Sequence, residues 1–105
     1  MAETRIEALR SMLEHNPDDP RLHFALANEY EKLGDWDRVI EELTAYLEAI
    51  EDEGNAWGRL AHALHETGRD GEAKLAYERG IDAAERHGHP SMAAEFQDAI
   101  EELGG

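Results

Sequence analysis

The chain has 105 residues, enough for one domain with a modest hydrophobic core. It contains no cysteine, which excludes disulfides, thiolate nucleophiles and Cys-type zinc sites and makes a reduced, cytoplasmic setting the expected one. A formal net charge of −15 disfavours binding to nucleic-acid phosphates and to anionic lipid. No apolar run approaches the roughly 20 residues of a membrane span, and the charged N-terminus MAETRIEALR is unlike a signal peptide.

The acidity has two explanations that the sequence leaves open. A negative field would steer a basic partner towards the protein. The same charge would also suit the solubilising surface of a protein adapted to high salt, and the presence of only two lysines fits this alternative.

The first segment predicts a helix over residues 3–17. Its apolar residues recur at helical spacing and form one stripe, made of Ile6, Leu9, Met12 and Leu13. Asn16 ends this helix, because the residue before a proline is driven out of the helical region.

A helix pair follows. Its first helix is predicted over 20–33, after the natural N-cap residues Asp18 and Asp19. Gly34 turns the chain in a left-handed conformation, and the second helix runs over about 36–50. The apolar residues expected to be buried in this pair are Leu22, Leu26, Ala27, Tyr30, Leu33, Val39, Ile40, Leu43, Tyr46, Leu47 and Ile50.

The same organisation returns in a second pair, with helices over about 55–67 and 70–86 joined at Gly68. Gly80 lies in mid-helix, where glycine costs about 1 kcal/mol relative to alanine, so we expect a close helix crossing there. HisGlyHisPro at 87–90 breaks the chain before a last helix. The apolar face of that helix consists of Ala93, Phe96, Ile100 and Leu103.

The turn glycines recur, with 34 residues from Gly34 to Gly68 and a two-residue insertion before Gly104. A helix–turn–helix unit with this period resembles the tetratricopeptide repeat. The residues of the second pair that carry the resemblance are Trp57, Leu60, Ala61, Leu64, Ala73 and Tyr77. The first pair departs from the pattern, with His23 in place of the large aromatic residue and Val39 in place of the small one.

The resemblance implies an all-α fold, a right-handed helix–turn–helix repeat solenoid of about six antiparallel helices in a single domain over 1–105. Within that domain, 3–17 would be an N-terminal half-repeat helix, 20–53 the first repeat and 54–87 the second. Residues 90–104 would form a capping helix that begins a third repeat.

In such a solenoid the first helix of each repeat lines a concave groove, where members of the family bind peptides. The candidate groove residues lie off the core stripes and are Arg21, Phe24, Asn28, Glu31, Arg59, His62, His65 and Asp98. Phe24 is the expected anchor, because an aromatic residue outside the core stripe is typical of a hot spot. The alternative is that Phe24 packs beneath the N-terminal helix and binds nothing.

The sequence therefore predicts a non-catalytic protein–protein interaction scaffold without cofactor, whose partner is a mixed-charge or basic peptide or helix. Membranes and nucleic acids are not expected partners. We expect a monomer or a weak homodimer in solution. One alternative function is a self-associating structural module. Another is a metal site at His62 and His65, for which Glu66 or Asp98 would have to supply a third ligand. The two serines have no base at a recognisable spacing, so a nucleophilic enzyme is not expected.

Overall fold

The computed structural model describes residues 2–104 and the side chains of residues 4–104, and this part of the chain contains six α-helices and no strand. The helices are α1 (Ala2–His15), α2 (Pro20–Leu33), α3 (Trp36–Ala49), α4 (Asn55–Glu66), α5 (Asp70–Arg86) and α6 (Pro90–Gly104). The predicted all-α helix–turn–helix repeat class is confirmed, and every predicted helix boundary lies within two residues of the observed one. No helix in residues 2–104 has the length and apolar character needed to cross a membrane.

The chain divides into two compact units, one ending at Ile50 and the other beginning at Glu51. The first unit contains the helix pair α2–α3, with α1 packed on α2. The second contains the pair α4–α5, with α6 packed on α5. The assignment of residues 1–105 to a single domain stays a prediction.

Each helix pair turns at a glycine in the left-handed region, Gly34 with a φ of 71° and Gly68 with a φ of 80°. Glycine adopts this conformation at little cost because it has no Cβ. The expected equivalence of Gly104 is wrong, because Gly104 is the last residue of α6 and has no left-handed φ.

The core of the first unit lies between α2 and α3, where Leu26 and Leu43 are fully buried. Polar contacts add to the attachment of α1. The Glu29 carboxylate on α2 is buried and lies 3.3 Å from Arg5 Nε of α1 and 3.2 Å from Lys32 Nζ. A buried carboxylate needs such partners, because an unpaired charge away from water is strongly destabilising.

The second unit is built around close helix crossings. Two small residues of the repeat pattern, Ala61 on α4 and Ala73 on α5, are both fully buried. Gly80 is also buried, and a Cβ on it would lie 2.8 Å from Phe96 Cε2 and 3.1 Å from Trp57 Cβ. The predicted close crossing at Gly80 is therefore confirmed.

Three residues assigned to the core are exposed instead: Met12 at 53%, Leu33 at 50% and Ile50 at 36%. Each lies in or directly after the last turn of its helix. Hydrophobic periodicity predicts which side of a helix is covered, but it does not predict how far along the helix the neighbouring helix extends.

Candidate functional site

Three of the predicted contact residues lie on one side of α2. Phe24, Asn28 and Glu31 are spaced at i, i+4 and i+7 on an unbroken helix, and all three are half-buried. The Phe24 ring packs against the Tyr46 ring of α3, with centroids 4.9 Å apart and planes inclined by 49°. This aromatic pair fixes the Phe24 ring and leaves part of it accessible.

Arg21 stands at the start of α2 and is the most exposed of the predicted side chains on that helix, at 89%. Its Nε and a terminal nitrogen donate to the Asp19 carboxylate at 3.2 and 3.1 Å. Asp19 also accepts from the Arg21 backbone N–H and caps the helix. These hydrogen bonds from Arg21 hold the pKa of Asp19 below its usual value, so the pair is ionised at neutral pH.

The other predicted residues belong to the second unit. Arg59 is half-buried on α4, and Asp98 is exposed on α6. His62 Nε2 lies 3.7 Å from Glu66 Oε1, whereas His65 Nδ1 lies 2.8 Å from Asp70 Oδ1. The hydrogen bond to Asp70 raises the pKa of His65 above 6.5.

The two histidines thus have different carboxylate neighbours. Among the residues that the structure describes, no group of three or more histidine, aspartate and glutamate side chains is placed to hold a metal ion. A zinc site of the expected kind needs at least three protein ligands. The described residues therefore place no third ligand beside His62 and His65.

A pocket of about 340 Å³ opens between the C-terminal halves of α4 and α6. Its lining consists of His62, His65, Glu66, Tyr77, Ala99, Glu102 and Leu103. The structure therefore brings His62 and His65 together in one concave site. Arg59 and Asp98 lie on the same two helices but do not line the pocket.

The pocket combines an apolar side with acidic groups. Tyr77 is half-buried, and its ring centroid lies 5.5 Å from that of Phe96. Burial, and to a lesser extent the negative charge of Glu102, raises the pKa of Tyr77 above 10.0. The phenol therefore stays protonated at neutral pH and can donate a hydrogen bond. Two carboxylates, Glu66 on α4 and Glu102 on α6, also line the pocket.

The sequence does not predict most of this lining. In the sequence, Tyr77 is one of the residues that carry the repeat resemblance, and Leu103 belongs to the predicted apolar face of the last helix. The spacing of Ala99, Glu102 and Leu103 at i, i+3 and i+4 places them on one side of α6. This spacing is the sequence signal for the α6 side of the pocket, but it identifies these residues as pocket lining only once the position of α4 is known.

A second cavity, of about 470 Å³, runs along α5 and α6, and none of the predicted site residues lines it. His89 lies in the wall of this cavity, and its Nε2 lies 2.6 Å from Glu53 Oε1. This bond holds the pKa of Glu53 below 4.5. The remainder of the lining is Ile81, Glu85, Gly88, Pro90, Ala93, Ala94 and Gln97.

The helix pairs and their turn glycines define a tetratricopeptide-repeat protein, and comparison with known proteins agrees. The chain is 31% identical over 91 residues to TPR repeat-containing protein PA0015 of Pseudomonas aeruginosa, covering 87% of each chain. It is 32% identical over 77 residues, 73% of its length, to small glutamine-rich tetratricopeptide repeat-containing protein 2 of Mycosarcoma maydis. It spans only 22% of that longer relative.

The model of the bacterial transcriptional activator domain matches residues 2–103, and the chain belongs to this family. Protein BPP2914 of Bordetella parapertussis, known from a solution structure, superposes with a TM-score of 0.76 at 28% identity. That superposition covers 94% of this chain and 86% of the other. Relatives named for tetratricopeptide repeats suggest a protein-interaction scaffold.

Proposed function

We propose that this chain is a non-catalytic module that binds a peptide or helix of another protein. The observation that carries the proposal is the open pocket between α4 and α6, which contains His62 and His65 and joins polar groups to an apolar wall. Binding sites of this composition use the apolar wall for affinity and a few polar groups for orientation.

The side of α2 that carries Phe24, Asn28 and Glu31 is proposed as a second contact surface, with Arg21 at its N-terminal end. Phe24 supplies an aromatic contact held in place by Tyr46, and its neighbours supply hydrogen-bonding groups. On α4 and α6, Arg59 and Asp98 flank the pocket residues and are proposed to contact the partner beyond the pocket.

The proposed partner is a protein rather than DNA, although the family description refers to transcriptional activators. Binding to DNA depends on lysine and arginine contacts with phosphates. This chain has ten such residues against twenty-five acidic ones, so its field repels phosphate and attracts a basic or mixed-charge protein segment. We propose that it acts in the cytoplasm without cofactor.

Selection of a displayed library of 12-residue peptides on the whole chain tests this function. Enriched peptides are synthesised and titrated calorimetrically against the wild type and against Phe24→Ala and His62→Gln variants. We expect dissociation constants in the micromolar range, weakened at least tenfold by one of these variants. The control is Glu41→Gln, an exposed position on α3, which should leave binding unchanged.

A library from which no peptide is enriched contradicts the proposal, as does binding that all three variants leave unchanged. The sedimentation mass of the free protein is measured over a concentration series in parallel. A dimer that forms with concentration and resists Phe24→Ala supports the self-associating module instead.

A further inference from the structure

We infer that the pocket between α4 and α6 receives an arginine side chain of the partner protein. This inference rests on the proposed function and specifies the chemistry of its main contact. The pocket volume of about 340 Å³ is near the lower end of the roughly 300–1,000 Å³ typical of ligand sites. A space of this size suits one long side chain rather than a helix.

The lining has the two kinds of surface that a long cationic side chain needs. The Tyr77 ring, Ala99 and Leu103 offer an apolar wall for the methylene groups of its stem. Glu66 and Glu102 offer carboxylate acceptors from opposite helices. A guanidinium carries five N–H donors in a planar fork and can reach two acceptors, whereas the lysine ammonium is a compact point charge.

The acceptors are available to a guest. Glu66 is 3.7 Å from His62, which is longer than a hydrogen bond, so a charged donor can displace this contact. His65 is held by Asp70 at 2.8 Å, and its Nδ1 is therefore directed to a group outside the pocket lining.

The charge around the pocket selects against an acidic guest. Among the described residues, no lysine or arginine lines the pocket. α6 carries four carboxylates and no lysine or arginine; the carboxylates are Glu95, Asp98, Glu101 and Glu102. A carboxylate or phosphate entering here would meet like charge on the α6 wall, whereas a guanidinium would be attracted.

The test is an NMR titration of the whole chain with N-acetyl-L-arginine amide in 150 mM salt, which screens contacts with distant charges. Backbone amides at 62–66 and 99–103 should shift with a dissociation constant on the order of 1–10 mM. N-acetyl-L-citrulline amide has almost the same shape without the charge and should bind at least fivefold more weakly. The dissociation constant of N-acetyl-L-lysine amide should lie between those of the arginine and citrulline amides.

Paired substitutions separate the pocket from the general acidity of α6. Glu66→Gln/Glu102→Gln should weaken arginine binding about fivefold. Glu95→Gln/Glu101→Gln removes the same charge from exposed positions of α6 that do not line the pocket, and it should weaken arginine binding less than about twofold. Equal weakening by both pairs, equal binding of citrulline, or shifts centred outside the pocket would overturn the inference.

The inference and the proposed function can fail separately. Selected peptides that bind tightly without arginine overturn the arginine site and leave the peptide-binding function standing. A failure to enrich any peptide overturns the function itself and, with it, the inference that rests on it.

Discussion

Phe96 occupies the space that a side chain at position 58 would need, since a Cβ built on Gly58 would lie 2.5 Å from Phe96 Cζ. On the other side of the ring, a Cβ on Gly80 would lie 2.8 Å from Phe96 Cε2. The Phe96 ring of α6 therefore fits between Gly58 of α4 and Gly80 of α5, and it also packs on the Tyr77 ring. This arrangement positions α6, which forms one wall of the pocket.

Gly58→Ala should destabilise the protein although alanine is the better helix former. The helical gain of about 1 kcal/mol is outweighed by overpacking, which typically costs about 1–3 kcal/mol. We expect a net loss of about 1–2 kcal/mol in urea unfolding. The control is Gly71→Ala on α5, where no described atom beyond the adjoining residues and backbone of α5 itself lies within 4 Å of the added Cβ, so this variant should be neutral or slightly more stable. Equal stabilisation by both variants would show that Phe96 moves freely.

The pair of His23 and Glu42 should contribute to the stability of the first unit. His23 Nδ1 lies 2.6 Å from Glu42 Oε1, and the two side chains are only 17% and 14% exposed. Glu42→Ala leaves His23 Nδ1 without its partner, although Nε2 keeps its 3.3 Å contact with the Pro17 carbonyl oxygen, and should lower the free energy of unfolding by about 1–3 kcal/mol. Urea unfolding measures the change, and a double-mutant cycle with His23→Ala should give a coupling energy of at least about 0.5 kcal/mol.

The neighbouring Glu41 provides the matched control. It lies 3.5 Å from Arg38 in an exposed pair, and such pairs contribute about 0–1 kcal/mol. Glu41→Ala should therefore change the unfolding free energy much less than Glu42→Ala does. Equal losses of unfolding free energy in Glu41→Ala and Glu42→Ala would mean that partial burial of the His23–Glu42 pair adds nothing to stability.

His65 should titrate above its ordinary pKa of 6.5, because it is hydrogen bonded to Asp70. Asp70→Asn should return the His65 pKa towards 6.5 in an NMR pH titration, and Glu72→Gln in the same turn should not. A raised pKa in the folded state means that the pair stabilises the fold below about pH 6.5, and that this contribution is lost as pH rises through the raised value. A His65 pKa that is insensitive to Asp70→Asn would contradict this account.

Binding of a basic peptide should become tighter as the pH rises from 5.5 to 8. At the lower pH, protonated His65 adds positive charge to a pocket whose other charged lining groups, Glu66 and Glu102, are negative. Calorimetric titrations across this range should show this trend in the wild type and a flatter pH profile of the dissociation constant in His65→Gln. A flat wild-type profile would exclude a role for histidine protonation in binding.

Salt should stabilise the protein, because a net charge of −15 is repulsive in the folded state. Raising potassium chloride from 0.05 to 1 M shortens the screening length to about 3 Å, and we expect the thermal midpoint to rise by about 5 °C. The rise of the thermal midpoint with salt should be smaller in the triple variant Glu95→Gln/Asp98→Asn/Glu101→Gln. A midpoint that does not change with salt would argue against salt adaptation as the origin of the acidity.

The fold was largely predictable from the sequence, because helix periodicity, caps and turn glycines are local signals. The range 20–33 agrees with α2 at both ends, and Asp19 is its cap. The pocket was only partly predictable. His62 and His65 follow from their spacing on one helix, but Tyr77 and Glu102 join them through the packing of α6, which no local pattern encodes.

The buried carboxylate of Glu29 also limits how far the chain can be shortened. A version beginning at Pro20 would keep both helix pairs but lose Arg5, so that of the two described ion pairs of Glu29 only the one with Lys32 would remain. A buried carboxylate with fewer partners draws water towards it, which would loosen the packing at the surface of α2. A trimmed chain intended for peptide-binding work therefore has to retain the segment from Arg5 onwards or carry a neutral residue at position 29.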